Sequence, residues 1–267
     1  MDNKWYRVPL GPRVERVLGP SGRFVLKRGV EHELALYRRV ATPVATGAPA
    51  LLGAVRWPDR SVWLALEDLL EVHPDLRDSA QVAQVYEHLG LVHRRLRGVD
   101  GPAAPGAVGT ADLRRELDLA GIHWPVSARS GGDPERTLLH GDYHRGNLVL
   151  QDGRVRVLDW EHSGVGHPVW DLLLLAPEED GWDGAPRGAR AVEALQAYHR
   201  AGPLAHLPWP DFLAMQQAAR LCASLRRAAM HRRRAAAAPP GPLAAVILAA
   251  EQVEVERVRR LRTMLGV

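Results

Sequence analysis

The 267-residue chain holds one cysteine, two phenylalanines, two lysines and no apolar run approaching twenty residues. The lone Cys222 excludes an internal disulfide framework and any zinc site built from several thiolates, which points to a reducing, cytoplasmic setting. Its place in an apolar helical stretch reads as core packing. With no long apolar run, no membrane span is expected. The opening MDNKWYRVPL lacks the basic start and apolar stretch of a secretory signal, so secretion is not expected either. A strong excess of one charge is also missing. The formal charge is +4 and the pI near 9.6, but 35 basic residues are scattered among 31 carboxylates, so no nucleic-acid partner is expected. The scarcity of Lys, Ile and Phe beside abundant Ala, Arg and Pro reads as genome composition rather than function. What remains, 46% hydrophobic and 25% charged residues, is the profile of a soluble globular protein. Its length admits one large domain or two lobes of one unit.

The first seventy residues read as short strands around one helix. Arg13 to Leu18 and Arg23 to Arg28 flank Gly19-Pro20-Ser21-Gly22, a turn-forming tetrad that predicts an antiparallel hairpin. Glu31 to Val40 carries Leu34, Tyr37 and Val40 at helical spacing, and two more strands are expected at Leu51 to Trp57 and Ser61 to Leu69. From Ser79 the period changes: Val82, Val85, Leu89, Val92 and Leu96 form one apolar stripe of a helix. Residues 98–110 read as a loop, 112–120 as a short helix, and Gly131 to Pro134 as a turn. Leu148 to Leu150 and Val155 to Leu158 are joined by an Asp152-Gly153 turn, the pairing favoured in tight hairpins. Beyond Pro168 helices are expected at Arg187 to Arg200, Asp211 to Met230 and Leu243 to Leu265, with a break near residue 238. No internal repeat is present.

The segment LLHGDYHRGNLVLQDGRVRVLDWE puts Asp142, Asn147 and Asp159 in one loop-plus-hairpin unit. An acid before the hairpin, an amide five residues on and an acid at the end of the returning strand gather oxygen ligands of the kind magnesium takes beside phosphate. HGDYHRGN resembles the His-x-Asp-x-x-x-x-Asn catalytic loop of kinases, and is similar to that of the aminoglycoside phosphotransferase and choline kinase superfamily. The resemblance implies a two-lobed, protein-kinase-like α+β fold. Its small antiparallel sheet lobe would span residues 1–70, and its mainly helical lobe residues 71–267. It also implies transfer of the γ-phosphate of ATP, with Mg2+, to a hydroxyl of a small molecule. Asp142 would then be the catalytic base, and Asn147 and Asp159 the metal ligands. His144 would stand where protein kinases place a phosphate-facing lysine. FVLKR followed by EHELALYRRV resembles the phosphate-binding lysine strand and the helix carrying its partner, so Lys27 and Glu33 form the implied ion pair, with Glu31 the alternative. VWLALEDLL resembles the hinge, where Glu67, Asp68 and Leu69 would meet adenine. LGLVHRRL and GHPVWDLLLL extend the likeness to about residue 176.

Three departures stand out. There is no GxGxxG, so Gly19 to Gly22 would cover phosphate with fewer glycines. Glu161 takes the place of the glycine in DFG, and about a dozen residues separate Asp159 from the next helix, too few for an ordinary activation loop and so in favour of small acceptors. Arg145 replaces a common proline. The plainer readings make His140, His93 and Asp171 structural, the last capping a helix or bracing the catalytic loop. The i,i+4 pair His140 and His144, with His162 and His167, invites a zinc hydrolase, against which Gly141 and Gly146 count because they disfavour a helix there. Arg226, Arg227 and Arg232 to Arg234 read as a solvated helix end, or a seat for an anionic acceptor. From Glu178 onward 13 Arg face 9 acidic residues, which disfavours a polycationic acceptor. An inactive nucleotide-binding module and a protein kinase are the remaining rivals.

Overall fold

The computed structural model describes residues 5–20, 22–59, 61–69, 72–104, 136–173, 175, 188–239 and 241–265. The expected helix at 112–120 and turn at Gly131 to Pro134 lie outside them. Five strands, β1 (Tyr6–Gly11), β2 (Val14–Gly19), β3 (Gly22–Gly29), β4 (Leu51–Arg56) and β5 (Val62–Glu67), form one antiparallel sheet in the order β1-β2-β3-β5-β4. Helix α1 (Glu31–Arg39) follows β3 and buries Glu33, Leu34, Leu36 and Tyr37. Its acidic first turn and basic last turn suit the helix dipole. A four-residue helix, α2 (Pro43–Thr46), precedes β4 and is capped by Thr42. The expected hairpin around Gly19 to Gly22 is present, with Gly19 opposite Gly22, and its turn lies far from Lys27. Lys27 pairs with Val14 at the other end of the hairpin, five register steps or about 17 Å away. The turn at the Lys27 end is Pro12-Arg13, between β2 and the edge strand β1.

Helix α3 (Ser79–Arg95) starts at Asp78, whose carboxylate accepts the amides of Ala80 and Gln81. The predicted stripe Val82, Val85, Leu89, Val92 and Leu96 is buried throughout. Then β6 (Thr137–Leu139) leads into the 140–147 loop, which ends in a single 3₁₀ turn at Arg145–Asn147. The hairpin β7 (Leu148–Gln151) and β8 (Arg154–Val157) turns through Asp152 and Gly153, both with positive φ (51° and 69°) as that dipeptide predicts. A second 3₁₀ turn, Trp160–His162, and β9 (Gly164–Gly166), which pairs with β6, bring the chain to α4 (Val169–Leu172). Helices α5 (Gly188–Ala201), α6 (Trp209–Ala237) and α7 (Pro242–Leu265) complete the helical lobe. Helix α6 outruns its expected end at Met230 because Arg232 to Ala237 are good helix formers, and it stops at Ala238 just before Pro239. Leu89, Tyr143, Leu148, Trp160, Tyr198 and Phe212 anchor a core beneath the loop and hairpin.

Candidate active site

Lys27 projects from β3 and is 6% exposed. Its Nζ lies 2.7 Å from Oε1 of Glu33 and 2.5 Å from Oδ1 of Asp159. An ammonium this buried must be paired, and the two carboxylates come from different lobes. Gly29 lets α1 approach closely enough for this, since a β-carbon there would sit 2.7 Å from Oε2 of Glu33. Glu31 faces away and holds Arg56 at 2.7 Å, so Glu33 is the partner. Burial opposes the charge of Lys27, but Glu33 and Asp159 outweigh it and hold the ammonium above its ordinary pKa. Burial likewise opposes the Asp159 carboxylate, and Lys27 overcomes it, so its pKa lies below the ordinary value. Glu33 is pushed up by burial, and its Oε2 has no hydrogen-bond partner among the described residues.

The 140–147 loop is braced from beneath. Asp171 accepts the backbone amides of His140 (2.8 Å) and Gly141 (2.9 Å) and, at 3.0 Å, Nε2–H of His93, whose Nδ1 lies 2.9 Å from the Tyr198 hydroxyl. Burial raises the Asp171 pKa, yet the His93 bond and these amides take it below the usual value. His140 donates from Nε2 to the Leu158 carbonyl at 2.7 Å and accepts the Asp142 amide at Nδ1 (3.3 Å). Burial holds its pKa down, so the ring is neutral and joins the loop to the hairpin. Asn147 donates from Nδ2 to Oδ2 (3.1 Å) and to the carbonyl (2.9 Å) of Asp142. His144 accepts the Gly146 amide at Nδ1, which puts its proton on Nε2, 3.3 Å from Oδ2 of Asp142. Arg145 donates to the carbonyl of Pro74 at 3.0 Å, fastening the loop where proline would have stiffened it.

Asp159 has φ 58° and ψ 70°, a left-handed conformation that an aspartate adopts only at some cost. Asn147 and Asp159 thereby line one cleft of about 410 Å3 with Lys27, Val25, Leu66 and Leu69. Asn147 spends its amide nitrogen on Asp142, which leaves Oδ1 without a donor among the described residues, and Lys27 takes only Oδ1 of Asp159. Two hard oxygens with no thiolate beside them fit magnesium. His140, His144 and His167 are turned to separate partners.

At the expected hinge, the side chains of Glu67 and Asp68 are structural. Glu67 accepts Arg156 (2.6 Å) and the Ala50 amide (3.0 Å), and donates its own amide to the Ala50 carbonyl. Asp68 takes Arg16 at 2.9 Å and Arg23 at 3.3 Å. Several of the site's ties had no sequence signal. Arg156 also donates to the carbonyls of Gly47 and Ala48, His32 bonds the Ser163 carbonyl, and Arg13 holds Glu161. Each joins positions more than a hundred residues apart, which no local spacing marks.

Solved structures share this architecture. An aminoglycoside phosphotransferase from Alicyclobacillus acidocaldarius superposes with a TM-score of 0.64 at 14% identity, over 100% of this chain and 94% of that one. A choline/ethanolamine kinase family protein from Mesorhizobium loti gives 0.59 at 15%, over 98% and 88%. The fold is the one these phosphotransferase and kinase structures share. The match in sequence is narrower: the model described as "Phosphotransferase enzyme family" matches residues 107–213. Among curated proteins, human acyl-CoA dehydrogenase family member 11 is 40% identical over 52 residues, 18% of this chain and 7% of that protein. Its chicken counterpart is 31% identical over 116 residues, 42% of this chain and 14% of that protein. The chain thus spans about a seventh or less of the curated relatives it matches.

Proposed function

We propose that the chain transfers the γ-phosphoryl group of ATP to a hydroxyl of a small molecule, with residues 1–70 binding nucleotide and residues 71–267 carrying the catalytic loop and the acceptor. The observation that carries this is the convergence of Lys27, Asn147 and Asp159 on one cleft while Asn147 holds Asp142 at 3.1 Å. Lys27, steadied by Glu33, would neutralise phosphate oxygens. The backbone of Asp68 and Leu69 is left to meet the base, since the Glu67 amide is spent on Ala50. Magnesium, held by Asn147 and Asp159, would supply positive charge to the phosphates. Asp142 orients the acceptor hydroxyl and takes its proton as the oxygen attacks phosphorus and the β,γ-bridging oxygen leaves with ADP. His144, donating to Asp142, is a positioning residue that keeps the carboxylate aimed. Catalysis here is alignment and charge neutralisation.

A small acceptor suits the path from Asp159 to α4, which is filled by a 3₁₀ turn and β9 and has no length for a docking loop. Two fold relatives point the same way by what they were solved with: a thermostable mutant of an aminoglycoside phosphotransferase in complex with AMP-PNP and hygromycin B, and an amicoumacin kinase in complex with AMP-PNP, Ca2+ and Ami. The test is thermal unfolding with ATP and magnesium, followed by a panel of hydroxylated metabolites. ATP with magnesium should raise the Tm of the native chain and leave Lys27→Ala unmoved. A native Tm insensitive to ATP would overturn the nucleotide reading.

A further inference from the structure

We infer that Arg13 is a second phosphate-binding cation of the nucleotide site, parked on Glu161 until a triphosphate displaces it, an inference that rests on the ATP reading above. Arg13 sits in the Pro12-Arg13 turn between β1 and β2, with Leu10 and Val14 on either side lining the cleft. Its carbonyl accepts the Arg28 amide at 2.8 Å, which pins the turn at the Lys27 end of the sheet. The guanidinium reaches across the cleft mouth to Glu161, Nη2 lying 2.8 Å from Oε1 and 3.0 Å from Oε2. Among the described residues only that nitrogen is engaged, which leaves Nε and Nη1 as donors, and the side chain is 51% exposed.

Glu161 is shared. It lies 3.8 Å from Nζ of Lys27 and 3.5 Å from His162 as well. The carboxylates Glu33, Asp159 and Glu161 are paired with the cations Lys27 and Arg13, so without ligand both cations rest on protein acids. A triphosphate brings more negative charge to the same place. Lys27 is held from two sides and buried, and has little room to turn. Arg13 is half in water on a turn, its ion pair is of the weakly held kind, and its planar fork suits phosphate oxygens better than a single carboxylate contact does. Glu161, where protein kinases carry the glycine of DFG, therefore acts as a seat that keeps Arg13 near the phosphate position.

Calorimetric binding of ATP in EDTA, of ATP with magnesium and of AMP, to native, Arg13→Gln, Glu161→Gln and doubly substituted chains, tests this. Arg13→Gln should weaken ATP about tenfold, the size of one lost charge-assisted contact, and leave AMP unchanged. Glu161→Gln frees the arginine and should tighten metal-free ATP, a gain that vanishes in the double variant. Equal weakening of ATP and AMP by Arg13→Gln would make the pair a mere tie between lobes and overturn the inference. So would no change with either nucleotide, or the same loss of ATP from Glu161→Gln as from Arg13→Gln. A native chain that binds AMP and ATP equally would also sink it, while one that binds neither would remove the nucleotide reading itself.

Discussion

At Gly141 the backbone has φ 81°, and a β-carbon would lie 2.1 Å from the carbonyl oxygen of His162. Both facts demand glycine, because the conformation and the approach are each closed to a side chain. Gly141→Ala should cost at least about 2 kcal/mol in urea unfolding, more than a surface substitution, and should disturb the amides that Asp171 holds. Gly29 makes a narrower demand. Gly29→Ala would crowd Glu33 away from Lys27 while leaving the sheet intact, so ATP binding is expected to fall more than stability, which calorimetry and unfolding together would resolve. Much at this scale was legible. The spacing of Asp142, Asn147 and Asp159 is local, and the hairpin that joins them has a strong turn dipeptide. Glu31 against Glu33 was not legible, because either residue can face a strand until the approach angle of α1 is known. Arg145 and Glu161 made sense only with their partners, Pro74 and Arg13.

The elements of the two lobes are tied unevenly. Arg156 on β8 reaches Glu67 of β5 and the carbonyls of Gly47 and Ala48, and the Val157 amide adds a bond to Gly47. Arg156→Ala removes the charged donor of the Glu67 carboxylate, which keeps only the Ala50 amide, and takes one donor each from the carbonyls of Gly47 and Ala48, so it should destabilise the chain by roughly 1–3 kcal/mol. Thermal unfolding of the variant would read that loss, and an unchanged Tm would show the tie to be idle. Strand and helix existence followed from period: the α3 stripe and the β7–β8 hairpin came out as patterned. The edge strand β1 did not, because all six of its residues are exposed and no buried face imprints an alternation. The Pro12-Arg13 turn went unseen for a related reason: without β1 the sheet lacks it, and Gly19 to Gly22 was the glycine-rich turn in view. The three-residue strands β6 and β9 are too short to carry a period.

For the molecule as a whole, the buried titratable groups set a direction with pH. Burial, with Arg95 and His93 nearby, holds the His88 pKa at about 4, against 6.5 for the free side chain. The unfolded chain therefore binds the extra proton first, so this contribution is complete above pH 6.5 and is lost as pH falls towards 4, up to about 3 kcal/mol. Asp159 and Asp171, both held below their ordinary values, lose their contributions lower still. Urea midpoints should hold level from pH 8 to about 6.5 and fall from there towards pH 4, with His88→Gln flattening that fall. The fold of the whole was legible because two lobes of different period meet at the 140–159 segment. The acceptor was not, because its lobe consists of helices whose stripes report packing against one another and nothing about a ligand. The central claim is tested most directly by ATP consumption with magnesium across a panel of small hydroxylated metabolites, native chain against Asp142→Ala. The expected result is turnover with at least one acceptor that falls by a factor on the order of a hundred or more in the variant while ATP still binds. Equal rates for both proteins would contradict it.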